Sequence, residues 1–224
     1  MGEYYRWVNV DKKEYLCPND FDYGSKRWES SGRGNEVLCA LREMISREWS
    51  GDHIFWMGDE KLIPDASNND ALQLLYAQTV EEECPGDGFN TVCETYRDIS
   101  CLFKTAETVV REEIGFYLES VRKNEFHERN EYGINIERPF EGLFLRKGRD
   151  FRYTINHTKR VYYTFEETKM IGDTGYIYDD TDPLLSLMAF GRIIETGDWV
   201  GDIIGISDEK PEEYELLEEI HFTV

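Results

Sequence analysis

The chain has 224 residues, 46 acidic and 25 basic side chains, a net charge of −21, and is 40% hydrophobic and 14% aromatic. That apolar share is too high for a disordered acidic tail, so the sequence specifies a folded body under a negative field. Such a field disfavours nucleic acid and anionic membrane as partners, and favours basic proteins or cations.

Residues 4–10 and 14–17 flank Asp11-Lys12-Lys13 and read as a β-hairpin with Tyr5 and Trp7 on one face. Asn35 is placed to cap a helix running to about Trp49, with Val37, Leu38, Leu41, Met44, Ile45 and Trp49 at helical spacing. Gly51 ends it, and residues 53–57 form a strand closed by Gly58-Asp59. Ser67-Asn68-Asn69-Asp70 starts a second helix through Gln78. A loop at residues 84–88 follows, then the longest expected helix, from Thr105 to about Lys123. Beyond Pro139 the period becomes two: Phe151, Tyr153 and Ile155 alternate, as do Val161, Tyr163 and Phe165, with a turn at 156–159. Residues 199–206 and 214–224 are further strands, joined by an acidic loop at 207–213. The expected fold is a single α+β domain over residues 1–224, with helices mainly in residues 30–123 and an antiparallel sheet mainly in the C-terminal half. No internal repeat is legible.

Charge is uneven along the chain. Residues 1–120 hold 24 acids and 12 bases, residues 121–165 hold 6 and 10, and residues 166–224 hold 16 and 3. The basic middle either pairs with the acidic last quarter across the fold or forms a face of its own.

Two carboxylate clusters are candidate sites. Asp179, Asp180 and Asp182 could contribute to a divalent-cation site, since hard cations need converging oxygen ligands. Counted from Asp180, the sixth residue is Leu185 and the twelfth Gly191, so the EF-hand pattern fails and a solvated turn is the competing reading. Asp198, Asp202, Asp208, Glu209, Glu212 and Glu213 form the second cluster, an array suited to lysines and arginines on a partner. Trp199 is either an aromatic anchor of that face or a core residue.

No catalytic motif stands out. His53, His127, His157 and His221 form no ligand pair at helical spacing, and the Gly-rich stretch at 31–36 lacks the phosphate-loop ending. The cysteines, Cys17, Cys39, Cys84, Cys93 and Cys101, are odd in number and irregularly spaced, so buried free thiols are expected. No cofactor is indicated. The opening Met1-Gly2-Glu3-Tyr4-Tyr5 has no basic then apolar leader, which points to the cytoplasm.

Residues 2–15 (Gly2-Glu3-Tyr4-Tyr5-Arg6-Trp7 onward), Gly51-Asp52-His53-Ile54 through Glu60, and Gly201-Asp202-Ile203-Ile204-Gly205 resemble segments of a family of small acidic bacterial proteins of uncharacterised activity. In type, as a small acidic α+β protein, the chain is similar to immunity proteins of polymorphic-toxin and contact-dependent inhibition systems. That resemblance implies a basic protein partner such as a toxin domain, a nuclease among them, and assigns no residue. The alternatives are a metal-dependent enzyme and a soluble scaffold or regulatory module.

Overall fold

A computed structural model describes residues 2–21, 23–26, 29–64, 69–79, 88–100, 103, 151–172, 175, 177, 178, 180–192 and 196–222. The fold is α+β. β1 (Tyr5–Asn9) and β2 (Glu14–Leu16) form the expected hairpin, with Asn9 opposite Glu14. Its turn closes because Asn9 Oδ1 accepts the Lys12 amide at 2.9 Å and Lys13 adopts φ 54°. A short amide side chain stands in there for a backbone acceptor.

α1 (Glu36–Ser46) is capped by Asn35, whose Oδ1 accepts the Leu38 amide at 2.8 Å. Such a cap stabilises a helix by about 1 kcal/mol. Val37, Leu38, Leu41 and Ile45 are buried, and each contributes about 1.5–3 kcal/mol through the apolar area it removes from water. The chain then turns through Gly51, φ 81°, into β3 (Ile54–Gly58). α2 (Asp70–Thr79) starts where Asn69 Oδ1 accepts the amides of Ala71 and Leu72, both at 3.1 Å. Ser67 and Asn68, and the helix expected over 105–123, lie outside the described residues. α3 (Gly88–Thr95) and β4 (Arg97–Asp98) carry no legible signal: α3 buries only Phe89 and Val92 as large apolar residues, too few to define a period.

β5 (Tyr153–Asn156) and β6 (Val161–Tyr163) form the second expected hairpin. β7 (Lys169–Gly172), α4 (Pro183–Met188) and β8 (Ala189–Phe190) follow. The strand expected from residue 199 begins later, as β9 (Ile204–Ser207), because Trp199–Gly201 is a turn with Gly201 at φ 79°. The last expected strand is divided into β10 (Glu215–Leu216) and β11 (Glu219–Phe222).

The strand orders are β4-β2-β1-β3-β8, β10-β6-β5-β9 and β11-β7. Hairpin neighbours are antiparallel, while β4, β8, β10 and β11 join in parallel, so the sheets are mixed. The five-stranded sheet is covered on both faces. Tyr5, Trp7 and Trp56 join one cluster with α1 and α4, and Val8, Phe55 and Met57 join another with α2 and α3. Burial on both faces explains the unbroken apolar run Ile54–Met57. Trp7 and Trp56 lie with ring centroids 4.8 Å apart, and Trp49 and Trp199, from opposite ends of the chain, enter the same core.

Candidate partner-binding face

The candidate residues divide by burial. Asp182 is wholly internal. Its carboxylate takes the Arg42 Nη2 at 2.7 Å, the Tyr163 hydroxyl at 2.8 Å and the Leu184 amide at 3.0 Å. Arg42 also donates to Thr154 Oγ1 at 2.8 Å, and the two charged side chains are 5% and 1% exposed. Burial works against the guanidinium charge, but Asp182 and Tyr163 outweigh it and hold Arg42 above its ordinary pKa. Burial, reinforced by Asp182, likewise raises Tyr163. Asp182 is therefore the counter-ion of Arg42 and the N-cap of α4; its oxygens are committed. Asp180 is exposed and hands its carbonyl to the Arg33 amide at 2.8 Å, and Asp179 lies outside the described residues. Among the described residues no three His, Cys, Asp or Glu side chains converge as metal ligands would.

Asp198 and Asp202 belong to one cluster by sequence. The turn at 199–201 separates them: Asp198 is exposed, whereas Asp202 is 7% exposed. Asp202 accepts from Asn156 Nδ2 at 2.7 Å and pairs with Lys159, whose Nζ also reaches the Asp198 carbonyl at 2.6 Å. A carboxylate so far from water needs such partners, and Asp202 is thereby withdrawn from the surface. Trp199 takes its core reading, 2% exposed and 5.8 Å from the Tyr163 ring.

The remaining candidates are all exposed. Asp208, Glu209, Glu212 and Glu213 lie in the loop before β10, and Glu215, Glu218 and Glu219, which follow them in sequence, are exposed too. Residues 207–219 thus hold seven acids against Lys210, a net of 1 − 7 = −6. This acidic stretch includes β10, an outer strand of its sheet, with Tyr214 and Leu216 half-buried among the acids in sequence. Arg160 bonds Glu213 at 2.9 Å, and Arg152 approaches Glu166 at 3.5 Å. Arg152, Lys159 and Arg160 are the described bases of the basic middle, and all three face carboxylates of the last quarter, so the internal pairing holds there.

Sequence reasoning missed Arg42, Tyr163 and a pocket of about 370 Å³ at the opposite outer strand, β4. Lys12, Glu14, Met44, Glu48, Arg97, Ile99 and Phe103 line it. Glu14 is nearly buried there, accepting from Trp49 Nε1 at 2.8 Å and pairing with Arg97. No local pattern marks Arg42 as special, because its partners lie 112, 121 and 140 positions away.

No helix among the described residues is long and apolar enough to cross a membrane. Compared with family models, curated proteins and solved structures, the chain matches none.

Proposed function

We propose that the chain is a cytoplasmic binding protein that masks a basic protein domain, in the manner of an immunity protein bound to a cationic toxin domain such as a nuclease. One observation carries the reading. After Asp182 and Asp202 are assigned to internal partners, seven exposed carboxylates remain between Asp208 and Glu219, against Lys210 and the Arg160 that pairs with Glu213. Exposed charge of one sign raises the rate of encounter with an oppositely charged partner and disfavours wrong ones. Tyr214 and Leu216 supply apolar area between the acids, the composition suited to a partner surface of lysine and arginine around an apolar centre.

The test is capture from a lysate of the source cell by the wild-type chain and by a variant with Glu209, Glu212, Glu215 and Glu218 changed to Gln. Both are used after their thermal transitions are shown to coincide. The expected result is a stoichiometric basic protein retained by wild type at low salt, released at high salt and not retained by the variant. Screening over about 8–10 Å near physiological ionic strength sets that salt dependence. Capture that is indifferent to salt and to the four substitutions, or no basic protein at all, refutes the reading.

A further inference from the structure

We infer that the chain is a tandem duplication folded as its own dimer: two copies of one strand–turn–strand–helix–strand–strand unit pair with each other about a pseudo-two-fold axis. The copies are β1-β2-α1-β3-β4 and β5-β6-α4-β9-β10.

Register supports this at each step. Asn9 pairs with Glu14 on one side and Ile54 on the other; Asn156 pairs with Val161 and Ile204. The outer strand joins in parallel in both copies, Glu14 opposite Arg97 and Val161 opposite Glu215. The flanking amides repeat as well. Arg97 donates to the Lys13 carbonyl at 2.8 Å and Ile99 to Tyr15 at 3.1 Å, while Glu215 donates to Arg160 at 3.0 Å and Leu217 to Tyr162 at 2.8 Å.

Side chains repeat too. In the first copy Asn9 Nδ2 donates to Asp52 at 2.8 Å, and Lys12 Nζ pairs with Asp52 and reaches the Glu48 carbonyl. In the second copy Asn156, Lys159, Asp202 and the Asp198 carbonyl make the same clasp. The hairpin turns use left-handed residues at the same place, Lys13 at φ 54° and Arg160 at φ 58°. Both clasp loops are Trp-x-Gly-Asp, with Gly51 at φ 81° and Gly201 at φ 79°, and each Asp amide returns to the Trp carbonyl, at 3.2 and 2.9 Å. The offsets are constant within segments: 156 − 9 = 159 − 12 = 147 in the hairpins, and 199 − 49 = 202 − 52 = 150 in the loops.

The axis is visible in the pairing. By these offsets His53 and Ile203 are equivalent, and they form an antiparallel bridge with each other. A residue that contacts its own counterpart lies on the two-fold of an isologous interface. The segments entering the two helices also meet antiparallel, at Gly32 and Thr181. Each helix crosses to the other copy: α1 packs on β9 and sends Arg42 to Thr154 and Tyr163, and α4 packs on β3. Leaving aside β8, which joins β3 in parallel, the order β4-β2-β1-β3 is matched strand for strand by β10-β6-β5-β9, and the His53–Ile203 bridge links the two at their β3 and β9 ends. The copies differ at the outer strands, where Glu215 stands at the place of Arg97 and Val161 at that of Glu14, and in their insertions: α2 and α3 stand between β3 and β4 in the first, β7 before α4 and β8 after it in the second.

Two measurements on the full chain test the inference. In the first, His53→Cys with Ile203→Cys, and separately Gly32→Cys with Thr181→Cys, are oxidised in the folded protein and mapped by peptide mass spectrometry. Both pairs are expected to close within one molecule; a pair that stays reduced, or closes only between molecules, overturns the axis. In the second, Asp52→Asn is compared with Asp202→Asn, and Lys12→Met with Lys159→Met, by urea unfolding. Each change is expected to raise the unfolded-to-folded ratio about 5- to 100-fold, with the two members of each pair within tenfold of one another. A mismatch beyond tenfold at either pair overturns the equivalence.

Discussion

Asp182→Asn isolates the charge at the centre of the fold. Asparagine caps helices as well as aspartate does, so the bond to the Leu184 amide survives and the loss falls on Arg42. That guanidinium belongs to a side chain only 5% exposed, on a buried position of α1. Removing one partner of a buried ion pair costs about 3–5 kcal/mol. For a chain of this length that is a fall in melting temperature of about 6–20 °C, at about 2–4 °C per kcal/mol. Urea unfolding followed by tryptophan fluorescence reads it, since Trp7, Trp49, Trp56 and Trp199 are all fully buried. Arg42→Met in the same background removes the stranded charge, and the pair is expected to show a coupling energy of about 2 kcal/mol or more. A loss below about 1 kcal/mol for Asp182→Asn, or strict additivity of the two changes, refutes the reasoning.

Alkaline pH offers a second test. Burial and the nearby Asp98 push Tyr15 up to about 12, and the hydrogen bond to Glu36, then burial, pushes Tyr23 up to about 12. A folded-state value above the unfolded one, about 10, favours folding while the ring is protonated. That contribution is whole below about pH 10 and is lost as pH rises through 12, so absorbance at 295 nm should show a late titrating class that merges with unfolding. Burial raises the Cys17 and Cys93 thiols, so both should alkylate slowly at neutral pH, by site-resolved mass spectrometry, and fast once the chain is unfolded. Gly51→Ala should cost about 1–2 kcal/mol from its left-handed backbone alone. Gly201→Ala should cost more in the same urea assay, because its added carbon would lie 2.3 Å from the Asn69 side chain.

What was legible in the sequence was local. Both hairpins, the Asn35 cap and the α1 stripe follow from spacing and short-range hydrogen bonding, and the structure has them. The strand expected from residue 199 starts only at Ile204, because Gly201 interrupts the apolar run and turns the chain. Asp198 and Asp202 were grouped by composition, yet the fold gives them opposite fates, since only contact with Asn156 and Lys159 decides which is buried. The exposed members, Asp208, Glu209, Glu212 and Glu213, sit where their sequence suggests, in an acidic loop. The duplication was hidden for a related reason. Its Asn-x-x-Lys and Trp-x-Gly-Asp segments are short, and the spacer between them differs by 150 − 147 = 3 residues, so no long identity survives to catch the eye.

Arg42 also sets an order of events during synthesis. Asp182 follows it by 140 positions, and at about 5–20 residues per second a ribosome delivers that stretch in about 7–28 s. Through that interval α1 has neither the β5–β6 hairpin nor an anion to receive its guanidinium, and Val37, Leu38, Leu41 and Ile45 have only the first-half part of their cluster, Tyr5, Trp7, Leu16 and Trp56 among it. The first half of the chain can therefore bury part of its core early, but the Arg42–Asp182 lock closes only when the second half emerges. A chain truncated before Asp182 lacks the anion of this buried pair, and its Arg42 has lost the partner that it meets in the finished molecule.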